Sequence, residues 1–447
     1  MARSPGRSGA KGWLMTQRAN EAHRWSAPFS RHPGWWVFLL ALTVRLVLIL
    51  ATGSYQRPER TEVVNIAIKL ADNGEFADPY GPGTGPTAMW SPLYPLLLSG
   101  LFRLLGTGQA GEIGQEVFSS LIGSVAGALL LSIALAFHMG RTAGLWAGLC
   151  VAVLPVNFWS ETKGSFESAL CGLALLVVCW YFAVVWEHGR FSLREACTGG
   201  LIAGVALLTS PVILPVVALL LAIGAWLFRA QIRSYALWAS TFTGVSIALL
   251  LPWAIRNDHV LGSPVFMRLG LGMNLMLSNN DLSHADYQEN DRQGLMQRFE
   301  PLLNDDVRAE KARMGEVAFD HEQRRRAVSW IRRHPERFLE LTAVRFVLFW
   351  FPRMVRTPQT ILIRCEAIAG IVGFLLLLRT NKRAKWIIGA VWLGYPLIYY
   401  ITEAFPRYRY PVDWTFVLLG AFAVTTVLAQ RRVRTNQHLQ MRTPTAL

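Results

Sequence analysis

Charged residues are scarce in this chain, and their scarcity indicates the class of protein to which it belongs. Only 16% of the 447 residues are charged, whereas about 25% is usual in a soluble domain. Hydrophobic residues make up 52% of the chain, and they gather in stretches of roughly 20 residues, the length of a helix that spans a bilayer. The composition excludes a disordered or an ordinary soluble protein. It predicts an all-α polytopic membrane protein.

Cysteine is also rare, and its placement excludes two kinds of site. The five cysteines lie in or beside apolar stretches, at Cys150, Cys171, Cys179, Cys197 and Cys365. None of them has the close Cys/His spacing of a zinc or redox centre, so we interpret them as packing residues. The sequence also lacks an internal repeat in register, which argues against a transporter built from inverted repeats.

The net charge of +15 comes from four short segments. Residues 1–33 contribute +5 and the tail from Gln430 contributes +4, while the loops at 229–233 and 379–385 add +2 and +4. An excess of Lys and Arg marks the cytoplasmic side of a membrane protein. The charge pattern therefore predicts that both tails are cytoplasmic, and it requires no nucleic-acid partner.

Two cytoplasmic tails require an even number of spans, and we predict about ten. Residues 1–33 form a basic cytoplasmic tail, 34–430 the transmembrane domain, and 431–447 a second cytoplasmic tail. The predicted spans are 35–52, 116–137, 142–156, 166–186, 196–209, 211–228, 235–254, 359–378, 384–401 and 411–429. The apolar segment 338–351 is placed along the membrane interface, where Arg345 would suit the headgroups.

This topology leaves two long loops outside the membrane, at 53–115 and 256–358. Both are far longer than the roughly 2–8 residues that usually join packed helices, and long loops on a rigid scaffold often carry function. In the first loop, 61–73 is predicted to form a short amphipathic helix with an apolar seam and a polar stripe. The seam is Val63, Ile66, Ala67 and Leu70, and the stripe is Glu62, Asn65 and Lys69.

Glu62 is the candidate general base of this first loop. A carboxylate held at a membrane surface beside apolar groups is suited to taking a proton from a hydroxyl. The alternative is that Glu62 is merely an acid at a helix N-terminus, where the helix dipole favours negative charge.

Several motifs, in this order along residues 35–430, resemble the GT-C superfamily of membrane glycosyltransferases. The resemblance begins with Arg45 in the first span and the acid-bearing outside helix. It continues with Ser91-Pro92-Leu93-Tyr94-Pro95, Ser165-Phe166-Glu167, Leu207-Leu208-Thr209-Ser210-Pro211, Pro252-Trp253-Ala254-Ile255-Arg256-Asn257, His334-Pro335-Glu336-Arg337-Phe338 and Pro406-Arg407-Tyr408-Arg409-Tyr410-Pro411. Within the superfamily, the chain looks similar to the bacterial branch that includes protein O-mannosyltransferases and lipid A aminoarabinose transferases.

The resemblance implies a bundle of about ten transmembrane helices with interfacial helices and long extracytoplasmic loops. It also implies a reaction, in which a sugar passes from a polyprenyl-phosphate carrier to an acceptor hydroxyl outside the bacterial inner membrane. The acid that matches the family's catalytic base is Glu62, although the family more often has Asp there. Glu59 is the alternative base if the motif is shifted by one turn.

A phosphate leaving group needs cations at the membrane surface, and the arginine fork suits it. Arg256, Arg407 and Arg409 are predicted to lie at that depth and to bind the donor phosphate; each could instead be an interfacial anchor. Glu167 lies near the outer end of a span, where an ionisable group is costly. We expect it to orient an arginine or the acceptor, or else to make an interhelical hydrogen bond.

The sequence assigns no metal ligands, although a divalent metal is compatible with the reaction. The expected partners are a polyprenyl-phosphate-linked sugar, membrane lipid, and a glycan, lipid or protein acceptor. Two alternatives have different chemistry: an enzyme similar to O-antigen ligases or polymerases, and a polytopic transporter. A transporter needs ionisable groups near the middle of the membrane, whereas the polar residues here concentrate in outside loops, with Arg45 as the main exception.

Overall fold

The computed structural model describes residues 33–154, 161–353, 357–380 and 382–442. These residues form α-helices and short 3-10 turns, and no strand occurs among them. The α-helices are α1 (Pro33–Thr52), α2 (Glu62–Asn73), α3 (Leu93–Leu105), α4 (Gln109–Ala136), α5 (Arg141–Val153), α6 (Ser168–His188), α7 (Leu193–Thr209), α8 (Leu214–Leu227), α9 (Ile232–Leu261), α10 (Leu271–Ser278), α11 (Tyr287–Arg292), α12 (Leu295–Phe299), α13 (Asp305–Met314), α14 (Glu316–Arg333), α15 (Pro335–Trp350), α16 (Thr357–Leu378), α17 (Ala384–Gly394), α18 (Leu397–Ile401) and α19 (Pro406–Arg442).

Six segments of the described chain are long and apolar enough to cross a membrane. They are Pro33–Thr52, Gln109–Ala136, Ser168–His188, Arg229–Leu261, Thr357–Leu378 and Pro406–Arg431. Each contains or overlaps one of the predicted spans, and together they confirm a multi-pass membrane protein. Most of the predicted tail 1–33, the end of the predicted span 142–156 and residues 443–447 lie outside the described residues.

The other four predicted spans are shorter helices, so the count of ten remains a prediction. α5 has 13 residues, α7 has 17 and α8 has 14, whereas a ~30 Å hydrocarbon core needs about 20. The predicted span 384–401 is divided into α17 and α18 around Pro396, because proline has no N–H to continue the helical hydrogen bonds.

Small residues let the long helices approach one another closely. A side chain at Gly200 of α7 would meet the Phe242 carbonyl oxygen of α9 at 2.6 Å, and one at Gly373 of α16 would meet the Leu419 carbonyl oxygen of α19 at 2.1 Å. Such contacts are typical of membrane helices, whose association depends on close packing because lipid is as apolar as leucine. These close contacts pack the long helices into a bundle, and the helices of the segments 53–115 and 256–358 lie against it.

The short helix predicted in the first loop is confirmed as α2. Thr61 is its N-cap and accepts a hydrogen bond from the Val64 amide, and the helix ends at Gly74, whose φ of 74° is left-handed. Its apolar side packs on α3, where the contacting residues are Val63, Val64, Ala67, Tyr94, Leu98 and Phe102. This packing fixes the first turn of α2 above the bundle.

Arg345 of α15 does not face the headgroups, which corrects the interfacial role predicted for it. Its side chain is fully buried. The guanidinium donates hydrogen bonds to the Ser278 and Ile401 carbonyl oxygens and to the Asn279 side chain. Because these partners belong to separate outer segments, Arg345 ties those segments together.

Candidate active site

A cavity of about 570 Å³ lies between the bundle and the helices of the segments 53–115 and 256–358. One part of its wall is apolar and comes from the ends of the shorter apolar helices α8, α17 and α18, with Val212, Leu214, Pro215, Gly394 and Ile398. Another part carries six acidic or basic side chains: Glu62, Glu167, Arg268, Glu300, Glu403 and Arg407. A cavity that joins apolar surface to a few converging charged groups is the usual form of a ligand site.

Glu62 is the first residue of α2 and projects into this cavity. Its exposed fraction is only 6%, so the predicted polar stripe of α2 begins inside the protein. Thr61 holds the helix start in place, because its hydroxyl donates to the Ser165 carbonyl oxygen at 2.9 Å while capping the Val64 amide. The N-terminal end of a helix favours negative charge, so this position suits a carboxylate.

Glu300, which the sequence did not single out, lies beside Glu62. The two side chains share a hydrogen bond. Burial, together with the nearby charge of Glu62, raises the pKa of Glu300 to about 9. Two adjacent carboxylates cannot both ionise cheaply, so Glu300 stays protonated at neutral pH and its O–H donates a hydrogen bond to Glu62.

The guanidinium groups of two arginines in the cavity stack on adjacent aromatic rings. The guanidinium of Arg268 is 4.3 Å from the centre of the Trp90 ring, and that of Arg407 is 3.5 Å from the centre of the Phe166 ring. The two ring centres are 5.8 Å apart. Stacking on aromatic faces orients a guanidinium while leaving its N–H groups available. The arrangement is suited to binding an anion.

Glu167 and Glu403 adjoin these arginines. An oxygen of Glu167 is 4.0 Å from the Nη1 atom of Arg268. Arg407 donates to the Tyr408 hydroxyl at 3.3 Å, and that hydroxyl donates to Glu403 at 3.1 Å. Burial raises the pKa of Glu403, while the Tyr408 hydrogen bond and Arg407 oppose the shift. Both acids thus help to hold the arginine side chains in place.

Arg256, one of the arginines predicted to bind the donor phosphate, does not line this cavity. It donates hydrogen bonds to the Thr87 and Phe76 carbonyl oxygens, each at 2.7 Å. Its guanidinium also lies 5.1 Å from the centre of the Trp253 ring. Because Phe76 and Thr87 are the two ends of one loop, Arg256 fastens that loop to α9.

Arg409 is also elsewhere, inside the helix bundle. It is fully buried, with Nη1 3.2 Å from an Asp413 oxygen and Nη2 3.5 Å from a Glu366 oxygen. Arg407 and Arg409 are two residues apart in a helix and therefore project in different directions. The expectation that Arg256, Arg407 and Arg409 gather at one site is corrected: only Arg407 reaches the cavity, where Arg268 is its partner.

Arg45, the charged residue noted in the first predicted span, belongs to a separate buried pair. Its guanidinium donates to a Glu161 oxygen at 2.7 Å, and the Tyr410 hydroxyl donates to the other oxygen of Glu161 at 2.7 Å. A buried arginine in a membrane helix needs such a partner. This pair explains Arg45 without a transported substrate.

The residues of the described ranges do not form a recognisable metal centre. No group of three or more His, Cys, Asp or Glu side chains there could hold a metal ion. In the cavity, Glu62 and Glu300 lie side by side and supply two carboxyl groups. We therefore assign no metal ligands and derive no step from a metal.

The fold resembles that of solved archaeal oligosaccharyltransferases, whereas no family model and no curated protein matches the sequence. The Archaeoglobus fulgidus enzyme AglB in complex with an inhibitory peptide and a dolichol-phosphate is 12% identical, with a TM-score of 0.52 over 94% of this chain and 53% of that one. The apo form gives 0.55 at 12% identity and the same coverage. The complex with Zn and sulfate gives 0.51 at 14% identity, over 91% of this chain and 51% of that one.

The chain spans about half the length of these structures. At 12 to 14% identity, the similarity concerns the path of the backbone and extends over nearly all of this chain. It agrees with the resemblance that the motifs suggested. Archaeal oligosaccharyltransferases belong to the GT-C superfamily of membrane glycosyltransferases, and the fold of this chain is similar to theirs.

Proposed function

We propose that this protein is a membrane glycosyltransferase that moves a sugar from a polyprenyl-phosphate donor to an acceptor hydroxyl on the extracytoplasmic face. One observation carries the proposal: a single cavity holds a pair of carboxyl groups, two arginines stacked on aromatic rings, and an apolar wall made by short apolar helices. A lipid-linked sugar phosphate needs apolar surface for the lipid, cations for the phosphate and a base for the acceptor.

The donor's phosphate would bind between Arg268 and Arg407. Guanidinium groups bind phosphate oxygens through parallel N–H donors, and such charge-assisted bonds are about twice as strong as neutral ones. The prenyl chain would run along Val212, Leu214 and Ile398 toward the lipid. The complex of the oligosaccharyltransferase neighbour with a dolichol-phosphate supports this class of donor.

Glu62 would act as the general base. Its carboxylate takes the proton from the acceptor hydroxyl as that oxygen attacks the anomeric carbon of the sugar. The bond between the anomeric carbon and the phosphate oxygen breaks, and the lipid phosphate leaves with its electron pair. Arg268 and Arg407 stabilise the negative charge that develops on the phosphate.

The remaining acids have supporting roles in this proposal. Glu167 orients Arg268, and Glu403 orients Arg407 through the Tyr408 hydroxyl. Glu300, protonated at neutral pH, donates a hydrogen bond to Glu62. That hydrogen bond would hold the Glu62 side chain in a fixed orientation, as its role requires.

The proposed donor sugar is a hexose or pentose carried by a polyprenyl phosphate in the bacterial inner membrane. The proposed relatives are the protein O-mannosyltransferases and lipid A aminoarabinose transferases that the motifs resemble. The acceptor is a hydroxyl of a glycan, lipid or protein. An oligosaccharyltransferase neighbour was solved with a tethered acceptor peptide, which supports an acceptor that approaches from outside the membrane.

A donor panel tests the proposal. The protein in lipid vesicles is incubated with labelled hexoses and pentoses linked to polyprenyl phosphate or to polyprenyl diphosphate, with membrane extract as acceptor. The free lipid phosphate or diphosphate that each donor releases is measured. We expect one donor to be consumed, with release of its lipid phosphate. Movement of the intact donor across the bilayer without phosphate release would identify a transporter instead. Consumption of diphosphate-linked donors alone would favour the ligase or polymerase alternative.

A further inference from the structure

Two buried acids one turn apart on α14, Glu316 and Asp320, hold the loops that carry Trp90 and Arg268. Both side chains are almost fully buried, with exposed fractions of 9% and 7%. Neither residue lines the large cavity. Their contacts nevertheless lead directly to the cavity wall where Arg268 stacks on Trp90.

Glu316 holds the first outside loop. One of its oxygens accepts the Thr87 hydroxyl at 2.6 Å and the Lys311 ammonium at 3.1 Å, and the other accepts the Ala88 amide at 2.7 Å. Lys311 is itself buried and lies 4.4 Å from the centre of the Tyr80 ring. Both oxygens of Glu316 therefore accept hydrogen bonds. Their donors in the first loop, Thr87 and Ala88, lie three and two residues before Trp90.

Asp320 holds the second loop through a single oxygen. Its Oδ1 atom accepts the amides of Gly270, Gly272 and Met273 at 3.1, 2.9 and 3.4 Å. A side chain at Gly272 would meet the Asp320 carbonyl oxygen at 1.9 Å. The turn that follows Arg268 is thus fitted closely to α14.

The two loops are also joined to each other. The Leu269 amide donates to the Ala88 carbonyl oxygen at 2.8 Å. Arg268 directly precedes Leu269 and Trp90 follows Ala88 by two residues, so this hydrogen bond lies next to the Arg268–Trp90 stack. Ala88 is thus bound by Glu316 through its amide and by the second loop through its carbonyl group. A displacement of either loop would move Arg268 relative to Arg407.

We infer that Glu316 and Asp320 are positioning residues that fix Arg268 in the geometry needed to bind the donor phosphate. The inference rests on the proposed function, because it gives Arg268 a phosphate to bind. Charge-assisted hydrogen bonds are sensitive to distance and angle, so a small shift of Arg268 would lower donor affinity without any change in the cavity's charged groups.

The two acids differ in a way that makes the inference specific. Glutamine at 316 has one oxygen and one NH₂ group, so it cannot accept hydrogen bonds from Ala88, Thr87 and Lys311 at both of its ends. Asparagine at 320 keeps an oxygen at the position of Oδ1, which is the only atom of that carboxylate that accepts the three amides. The neutral isostere should therefore be harmful at 316 and tolerated at 320.

The test measures the Kd of a polyprenyl phosphate for the full chain in lipid nanodiscs. Losing one charge-assisted hydrogen bond to the phosphate corresponds to an affinity loss of about tenfold. We expect that loss in Glu316→Gln and in Asp320→Ala, whereas Asp320→Asn should recover most of the affinity lost in Asp320→Ala. Glu322→Gln is the matched control, because Glu322 lies on the same helix but pairs only with surface arginines.

A double-mutant cycle separates positioning from general destabilisation. In an Arg268→Ala background, Glu316→Gln and Asp320→Ala should cause no further loss of affinity, because the residue they position is gone. An equal loss in both backgrounds would overturn the inference. Thr87→Val removes the hydroxyl that donates to Glu316 and accepts the Met89 amide. It serves as a second variant if Glu316→Gln fails to insert into the membrane.

The inference and the proposed function fail in different ways. If Arg268→Ala binds the polyprenyl phosphate as tightly as the wild type does, the proposed phosphate site is refuted, and the positioning role with it. If Arg268→Ala weakens binding but Glu316→Gln, Asp320→Ala and Thr87→Val do not, the positioning role alone is overturned.

Discussion

Replacing Glu62 by glutamine removes the proposed base while leaving its surroundings nearly unchanged. Glutamine has the same length, and its carbonyl oxygen can still accept the hydrogen bond from protonated Glu300. Thr61 still caps α2, because it bonds to the backbone at Val64 and Ser165. A positioned general base contributes about 10² to 10⁴ in rate, roughly 3 to 5 kcal/mol of transition-state stabilisation. We therefore expect kcat to fall by that factor.

Donor binding should respond in the opposite direction. Glu62→Gln removes one negative charge from a cavity that must hold an anionic phosphate, so donor affinity should be unchanged or higher. Glu62→Asp should lose less activity, because it keeps a carboxyl group at the first residue of α2. The assay compares kcat for sugar transfer with the Kd of a polyprenyl phosphate, both in nanodiscs.

Glu59→Gln is the control for this prediction. Glu59 accepts a hydrogen bond from the Ser165 hydroxyl at 2.7 Å and does not line the large cavity, so this variant should keep its turnover. Full activity in Glu62→Gln, with loss instead in Glu59→Gln or Glu167→Gln, would refute the assignment of the base.

The other predictions concern charge in the cavity and in the bundle. Arg268→Ala and Arg407→Ala should each weaken polyprenyl-phosphate binding about tenfold in a titration, most clearly at low salt. Raising the pH through about 9 ionises Glu300, so the Kd of the anionic lipid should rise over that range in the wild type and stay flat in Glu300→Gln. Arg409→Met removes the cation that lies beside the buried carboxylates of Glu366 and Asp413 and should cost about 3 to 5 kcal/mol of stability in thermal unfolding. Arg256→Ala should leave that Kd within about threefold of wild type but speed proteolysis of the 76–87 loop.

The features that could be predicted from the sequence depend on local patterns. Long apolar stretches predicted the membrane class, because crossing a bilayer requires a run of apolar residues in one helix. The i, i+3, i+4, i+7 spacing predicted α2 and placed Glu62 at its start. Recurring motifs such as residues 91–95 predicted the GT-C fold. None of these inferences requires knowledge of which distant segments meet.

The features that could not be predicted depend on distant contacts. Arg268 and Glu300 lie in the stretch 256–337, which has 13 basic and 13 acidic residues, and no local pattern sets them apart. They reach the cavity because α14 and the first outside loop hold their segments there. The position of Glu403 was a weak indication of a role in the site, because it lies four residues before Arg407, between the predicted spans 384–401 and 411–429. Arg409 was misplaced because a two-residue step along a helix turns a side chain to another face.

The number of spans could not be predicted from the sequence either, because the depth of a short helix also depends on its contacts with distant segments. Apolar helices of 13 to 17 residues, such as α5 and α7, have the composition of a span without its length. Packing against neighbouring helices, rather than composition, decides how deep such a helix lies. The predicted spans therefore agree best with the observed helices where the helix is long.

An experimental structure of the protein bound to a polyprenyl phosphate in lipid would test the account most directly. The account predicts that the phosphate lies between Arg268 and Arg407, within hydrogen-bonding distance of both guanidinium groups, and that the prenyl chain follows Val212, Leu214 and Ile398. It further predicts that Glu62 faces the phosphate across the space that a sugar would fill. A phosphate bound at Arg256, or at any site away from this cavity, would contradict the account.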